Sequence, residues 1–292
     1  MEKLKILVNA YACSPDKGSE PGMGWNWCVH LAKHCELHII SEGEHRENIE
    51  AALVTLPQAE NMHFYYNPVP EKVREMCRKQ GDWRFYSHYK SWQEETLHIA
   101  RQIIAEHKID VLHQLNMIGF REPGYLWKIE GIPFVWGPIG GLKQFPLAYL
   151  QGTGLKMHFF IRLKNLINTL QIKYDVRVDK ALRRAGLLIS SIPDSYRALK
   201  KYKQLESVLI PETGCFITDN VPTGRFYNRK FNVMWVGKFD FRKQLPLALN
   251  ALAAANNKQI ILNVYGQGNE VQEREAKQLV SELGISDQVV WH

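Results

Sequence analysis

Three stretches of the 292-residue sequence place glycines or cations directly after a β-branched run, where an anionic ligand could be met. In the first, Ile6-Leu7-Val8 is followed by Lys17-Gly18-Ser19-Glu20-Pro21-Gly22-Met23-Gly24 and by a helical pattern through Trp25 and Leu31. Glycine lets backbone approach a ligand closely, and a helix N-terminus offers unpaired N–H groups to a phosphate. Gly22 and Gly24 are the candidates for that contact. The dinucleotide fingerprint G-x-G-x-x-G is missing because position 27 is Trp, which argues against a nicotinamide cofactor. In the second stretch, Trp136-Gly137-Pro138-Ile139-Gly140-Gly141 reads as a turn after a strand at Phe134, beyond the carboxyl end where open α/β sheets bind ligands. Gly137, Gly140 and Gly141 are therefore cleft candidates, with Glu20 after the first strand and His113 and Asn116 around the strand at Val111. In the third, Val236-Gly237-Lys238-Phe239-Asp240-Phe241-Arg242-Lys243 sets Lys238, Arg242 and Lys243 between a strand and a helix, where they could neutralise a diphosphate. Each stretch also has a plain alternative: glycines that only reverse the chain, and cations on a solvated loop.

The elements that would position these residues are legible from periodicity. Short apolar runs recur at Ile6–Val8, Leu37–Ile40, Phe64–Tyr66, Val111-Leu112, Phe134–Trp136, Leu187–Ile189 and Val208–Ile210, each fit for a strand buried on both faces of a parallel sheet. Between them, Trp83 to His107 and Leu155 to Tyr174 carry apolar residues at helical spacing. Strands alternating with helices predict a doubly wound α/β sheet. After a polar stretch near 217–230 the alternation restarts with Val233–Val236, a helix from Leu245, and strands at Ile260–Tyr265 and Val289–Trp291. This predicts domains at 1–221 and 222–292, the second about half of a usual Rossmann domain. Strand residues continue to the last amino acid, so the C-terminus reads as truncated.

Composition narrows the partners. The chain is 45% hydrophobic and 23% charged, ordinary for a soluble protein, and its apolar runs are too short for a membrane span. Its five cysteines are scattered and no signal peptide is apparent, which favours reduced thiols in a cytoplasm. Of the net charge of +7, residues 151–203 contribute twelve Lys/Arg against three Asp, leaving the remainder slightly acidic. Within that basic segment the stripe Phe159, Leu163, Leu166, Ile167 and Leu170 is flanked by Lys156, Arg162, Lys164 and Lys173. The stripe suits either packing on its own sheet or an anionic membrane surface met by Leu155 to Lys203. Nucleic acid is set aside because no recognised motif accompanies the cations. His30, His34, Cys35 and His38 could suggest zinc, but no fitting carboxylate or second Cys pair accompanies them, so no metal is assigned.

Taken in order, the first strand, Gly loop and helix, then Ile109-Asp110-Val111-Leu112-His113, Ile210-Pro211-Glu212-Thr213-Gly214, Val236-Gly237-Lys238 with Lys243, Val264-Tyr265-Gly266-Gln267-Gly268, and Leu283-Gly284-Ile285-Ser286-Asp287-Gln288-Val289 resemble the retaining glycosyltransferases of family 4. The resemblance implies a GT-B-like pair of Rossmann-like domains that moves a hexosyl-type sugar, with retention, from a nucleotide-sugar to a glycan or lipid-linked acceptor. Polysaccharide or glycolipid synthesis would be the setting, at the inner face of a membrane, with no cofactor beyond the donor substrate. It also implies that Gly22 and Gly24 lie near the donor phosphates and that Lys243 binds the diphosphate. Lys238 stands where the family has Arg, keeping the charge but losing the planar fork. Arg242 is a third cation beside them. Relatives carry a functional His after the strand matched by Phe134–Trp136, where this chain has Gly137-Pro138, so the catalytic residue stays unassigned. The family's donor glutamates, spaced E-x7-E, would lie downstream of Trp291. Glu36 and Glu44, Glu42 and Glu50, and Glu122 and Glu130 share that spacing but fall in the first domain. The expectation is thus an enzyme inactive in this truncated form, or else a non-catalytic remnant that keeps an acceptor-binding module.

Overall fold

A computed structural model describes residues 3–78, 82–150, 153–213 and 230–292. The chain divides into two units, Met1–Phe145 with Leu163–Cys215 and Pro146–Arg162 with Phe216–His292. The domain break expected after residue 221 lies outside the described residues.

In the first unit, β1 (Lys5–Ala10), β2 (Glu36–Ser41), β3 (Met62–Tyr66), β4 (Val111–Asn116), β5 (Phe134–Ile139), β6 (Leu187–Ser190) and β7 (Val208–Leu209) form one sheet. Every pairing is parallel, in the order β3-β2-β1-β4-β5-β6-β7. Strands β1, β2, β4 and β5 are buried on both faces because helices cover both. Alternation along β1 sends Leu7 into one layer and Ile6 and Val8 into the other. The first layer includes Phe85, Tyr89, Trp92 and Ile103 of α4 (Phe85–Glu106), with α6 (Val176–Arg184) and α7 (Pro193–Lys203). The second includes Met23, Trp25, Cys28 and Val29 of α1 (Ser19–Leu31) and Ile49 of α2 (Arg46–Leu53). A large apolar side chain buried in this way contributes about 1.5–3 kcal/mol. The short α3 (Glu71–Arg78) follows β3.

Two sequence expectations change here. The glycine-proline stretch is not a turn: β5 runs through Gly137 and Pro138, and its pairing with β6 shifts register between Trp136 and Ile139. Glycine and proline within a strand mark such an irregularity as well as they mark a turn. In addition, α5 (Leu155–Tyr174) does not bury its predicted stripe. Phe159, Leu163, Leu166, Ile167 and Leu170 are exposed, and the helix is anchored instead by Ile161, Asn168 and Ile172.

In the second unit, β8 (Phe231–Val236), β9 (Ile260–Tyr265) and β10 (Val289–Trp291) form a parallel sheet in the order β10-β9-β8. Leu245, Leu249 and Leu252 of α8 (Leu245–Ala255) and Ala276 and Val280 of α9 (Glu270–Glu282) pack with Leu262, Val264 and Val289. A capping box starts α9: the Asn269 side chain accepts from Gln272 N–H, and the Gln272 side chain accepts from Asn269 N–H, each at 3.0 Å. Among the described residues, no helix is long and apolar enough to cross a membrane.

Candidate functional site

Strand order reverses direction between β1 and β4, so the segments leaving their carboxyl ends part to opposite sides and open a crevice. Asn116, at the end of β4, braces that crevice. Its side chain accepts from Ala12 N–H at 3.2 Å and donates to Ala12 O at 2.7 Å, tying the loop after β1 to β4. Gly22 and Gly24 are buried inside α1 rather than in the loop before it. A Cβ on Gly22 would collide with the Lys17 carbonyl, and one on Gly24 with the Ala12 carbonyl and, at 2.8 Å, with Asn116 Nδ2. Both glycines therefore let the loop lie on the helix. The first-turn N–H groups without an intrahelical partner belong to Ser19 and Glu20, since Pro21 has none.

His113 is buried within β4, and its Nε2–H donates to Gly137 O at 2.8 Å. Burial lowers its imidazole to about 4, against that hydrogen bond, so it is neutral at physiological pH. Gly137 has φ of 145°, and a Cβ there would strike the Ile189 carbonyl. His113 and Gly137 thus lock β4, β5 and β6 together beneath the crevice. Gly140 forms a bridge with Gly119, and Gly141 has φ of 75° beside Phe120 and Arg121.

Two cavities open on this edge and share Ser19, Glu20 and Met117. The larger, about 860 Å³, is walled by the loop after β1, the Ser41–His45 stretch and Arg74 and Arg78 of α3. The smaller, about 340 Å³, lies against Tyr86, Tyr89, Gly119, Arg121 and Glu122. Glu20 faces both. Its Oε1 accepts from Ile118 N–H at 2.7 Å, and burial raises its carboxyl above the ordinary range despite that bond, with Glu212 adding to the rise. Glu42, at the end of β2, occupies the place where a dinucleotide-binding fold presents an acid to ribose. Here it is buried and spoken for: Arg74 Nη2 donates to it at 2.7 Å, and Val69 N–H at 3.1 Å. Sequence reading did not single out Arg74, Arg78 or Arg121, because their partners come from distant positions.

In the second unit, Lys238 and Lys243 are exposed at the carboxyl end of β8 and have no carboxylate partner among the described residues. Gly237 leaves room for the Lys243 stem, since a Cβ there would sit 3.3 Å from Lys243 Cγ. Trp235 Nε1–H donates to Lys243 O at 3.3 Å, fixing the turn. Arg242 departs from the expected trio because its guanidinium pairs with Asp240 at 2.8 Å. Its charge is already partly balanced. The histidine grouping also differs from the sequence reading: the ring of His38, from β2, lies tilted 4.4 Å from that of His107 and 5.1 Å from that of His63.

No family model matches the chain, and no curated protein matches it in sequence. Solved structures with a similar fold include the Anabaena protein HepE in complex with UDP and glucose, 13% identical with a TM-score of 0.52, covering 99% of this chain and 68% of that one. The lipopolysaccharide outer core galactosyltransferase WaaB is 12% identical with a TM-score of 0.54, at 99% and 68% coverage. A glycosyltransferase from Rickettsia africae is 12% identical with a TM-score of 0.56, at 100% and 68%. Likeness at these identities is a likeness of fold: the chain has the α/β architecture of the GT-B glycosyltransferases, a doubly wound parallel sheet followed by a second, smaller Rossmann-like sheet.

Proposed function

We propose that this chain belongs to an enzyme that transfers a sugar from a nucleotide-sugar to a glycan or lipid-linked acceptor, with retention of anomeric configuration as the family 4 resemblance implies. The first unit holds the acceptor in the crevice around Glu20. The second supplies Lys238 and Lys243 to the donor diphosphate. The observation that carries this reading is the pair of unbalanced lysines beyond β8 in a chain with the GT-B architecture. As the bond to the leaving diphosphate breaks, negative charge grows on its oxygens, and fixed cations stabilise that charge more than they stabilise the ground state. Glu20, whose carboxyl burial raises above the ordinary range, would hold an acceptor hydroxyl. The exposed apolar stripe of α5 and the cations around it support attachment to an anionic membrane, where lipid-linked acceptors reside.

Incubating the enzyme to which this chain belongs with a panel of UDP-, GDP- and ADP-hexoses, and measuring nucleoside diphosphate release with and without glycan acceptors, tests the proposal. Acceptor-dependent release from one donor is the expected result. Binding of acceptor glycans with no recognition of any nucleotide-sugar would instead favour the acceptor-binding module.

A further inference from the structure

Arg121 is the unusual charge of the smaller cavity. Its Nε–H donates to Gln171 Oε1 at 2.7 Å, and Nη2 donates to Asn168 Oδ1, both acceptors being uncharged amides of α5. Neither amide neutralises the guanidinium, and among the described residues no carboxylate pairs with it. The neighbouring Glu122 is engaged elsewhere, taking Arg177 Nη1 at 2.7 Å and Nη2 at 3.0 Å. Burial also disfavours the charged form of Arg121, so a partly desolvated cation, 4.9 Å from the centre of the Phe120 ring, is held in place without a carboxylate counter-ion. The remaining nitrogen, Nη1, lies 4.0 Å from where a Gly141 Cβ would stand. With Nε and Nη2 anchored by amides, Nη1 offers its donors in a fixed direction beside a cavity of about 340 Å³.

We propose that Arg121 is a specificity residue that grips an oxyanion, a phosphate or carboxylate group carried by the acceptor sugar. This rests on the reading of the crevice as the acceptor site and adds the chemical class of acceptor. Charge-assisted hydrogen bonds from the guanidinium to either oxyanion are roughly twice as strong as its bond to a neutral hydroxyl. Glu20, which lines the same cavity, is left to the sugar hydroxyls rather than the anionic group.

Titration calorimetry of the full chain with glucose 6-phosphate, glucuronate and inorganic phosphate, against glucose as the uncharged control, tests this. One of the two sugar anions binds at least ten-fold more tightly than glucose, and which one it is distinguishes phosphate from carboxylate recognition. Arg121→Gln abolishes that preference, and Arg121→Lys, which keeps the charge and loses the planar guanidinium, retains part of it. Circular-dichroism melts of both variants establish that they fold. A wild-type preference below ten-fold, or a preference that Arg121→Gln keeps, overturns the proposal. Tighter binding of inorganic phosphate than of either sugar anion also overturns it, by marking a simple ion site. Because no turnover is read, failure here leaves the glycosyl-transfer reading intact, and failure of the nucleotide-sugar assay leaves this preference measurable.

Discussion

Replacing Gly24 by Ala asks whether the crevice depends on the close approach of the loop after β1 to α1. The new methyl group would meet the Ala12 carbonyl and lie 2.8 Å from Asn116 Nδ2, so loop and helix must part. Overpacking of this kind costs about 1–3 kcal/mol. Parting also weakens the two hydrogen bonds between Asn116 and Ala12, each with a net contribution of about 0.5–1.5 kcal/mol. Against this, alanine gains about 1 kcal/mol of helix propensity over glycine. The balance is a loss of about 3 kcal/mol, which for a unit of this size lowers the melting temperature by about 6–12 °C. Gly18→Ala is the control, since nothing lies within 4 Å of its Cβ position and its φ is −84°, so it should cost less than about 1 kcal/mol. Differential scanning calorimetry of both variants measures the contrast. If Gly24→Ala melted within about 2 °C of wild type, the loop would not rest on the helix as described, and the argument from Asn116 would fall with it.

Lys243→Ala is expected to lower turnover at least ten-fold in the intact enzyme while leaving acceptor affinity unchanged, as read by initial rates and calorimetry; wild-type turnover with every donor would reduce Lys243 to a solvated loop charge. Burial holds His113 at about 4, below its unfolded value near 6.5, so the unfolded chain takes up the proton first as pH falls. The stability present above pH 6.5 is then lost progressively toward pH 4, by about 3 kcal/mol for this residue. His113→Gln, which keeps an N–H for the Gly137 carbonyl, should flatten that part of the urea-midpoint profile, and an unchanged slope between pH 6.5 and 4 would contradict the assignment. Co-sedimentation with anionic vesicles should be strong at 0.1 M salt, weaken at about 1 M as the Debye length shrinks to about 3 Å, and fall further for Phe159→Ser; equal pelleting with neutral vesicles would remove the membrane from this account.

The strands were legible because each is a short run rich in apolar residues, and β1 through β10 all coincide with such runs. Three helices were not singled out: α3 and α6 are short and highly charged, and α7 is marked chiefly by Pro193 in its first turn. Gly137-Pro138 misled as a turn because the same residues permit a register shift inside a strand. The glycines of α1 were recognised as special, but their spacing alone does not distinguish a phosphate cradle from a close backbone contact. That depends on Lys17 and Ala12, whose carbonyls are brought against the helix by the loop. The stripe on α5 was visible as a stripe, whereas its exposure is set by which face Ile161, Asn168 and Ile172 turn inward.

The position of β1 in its sheet has a consequence for synthesis on the ribosome. Its partners come from both directions of later chain: β2 begins at Glu36 and β4 at Val111. As the polypeptide emerges, β1, β2 and β3 can associate once Tyr66 has left the exit tunnel, but the other edge of β1 has no partner until Asn116 follows. At about 5–20 residues per second that interval lasts roughly 3–10 s. During it an apolar strand, Ile6 to Ala10, presents an unpaired row of N–H and C=O groups, the surface most prone to joining a neighbouring nascent chain. Spacing on a polysome and the pace of translation between Tyr66 and Asn116 therefore bear on the yield of folded protein. Synonymous codons that slow this passage should increase aggregation without altering a single residue.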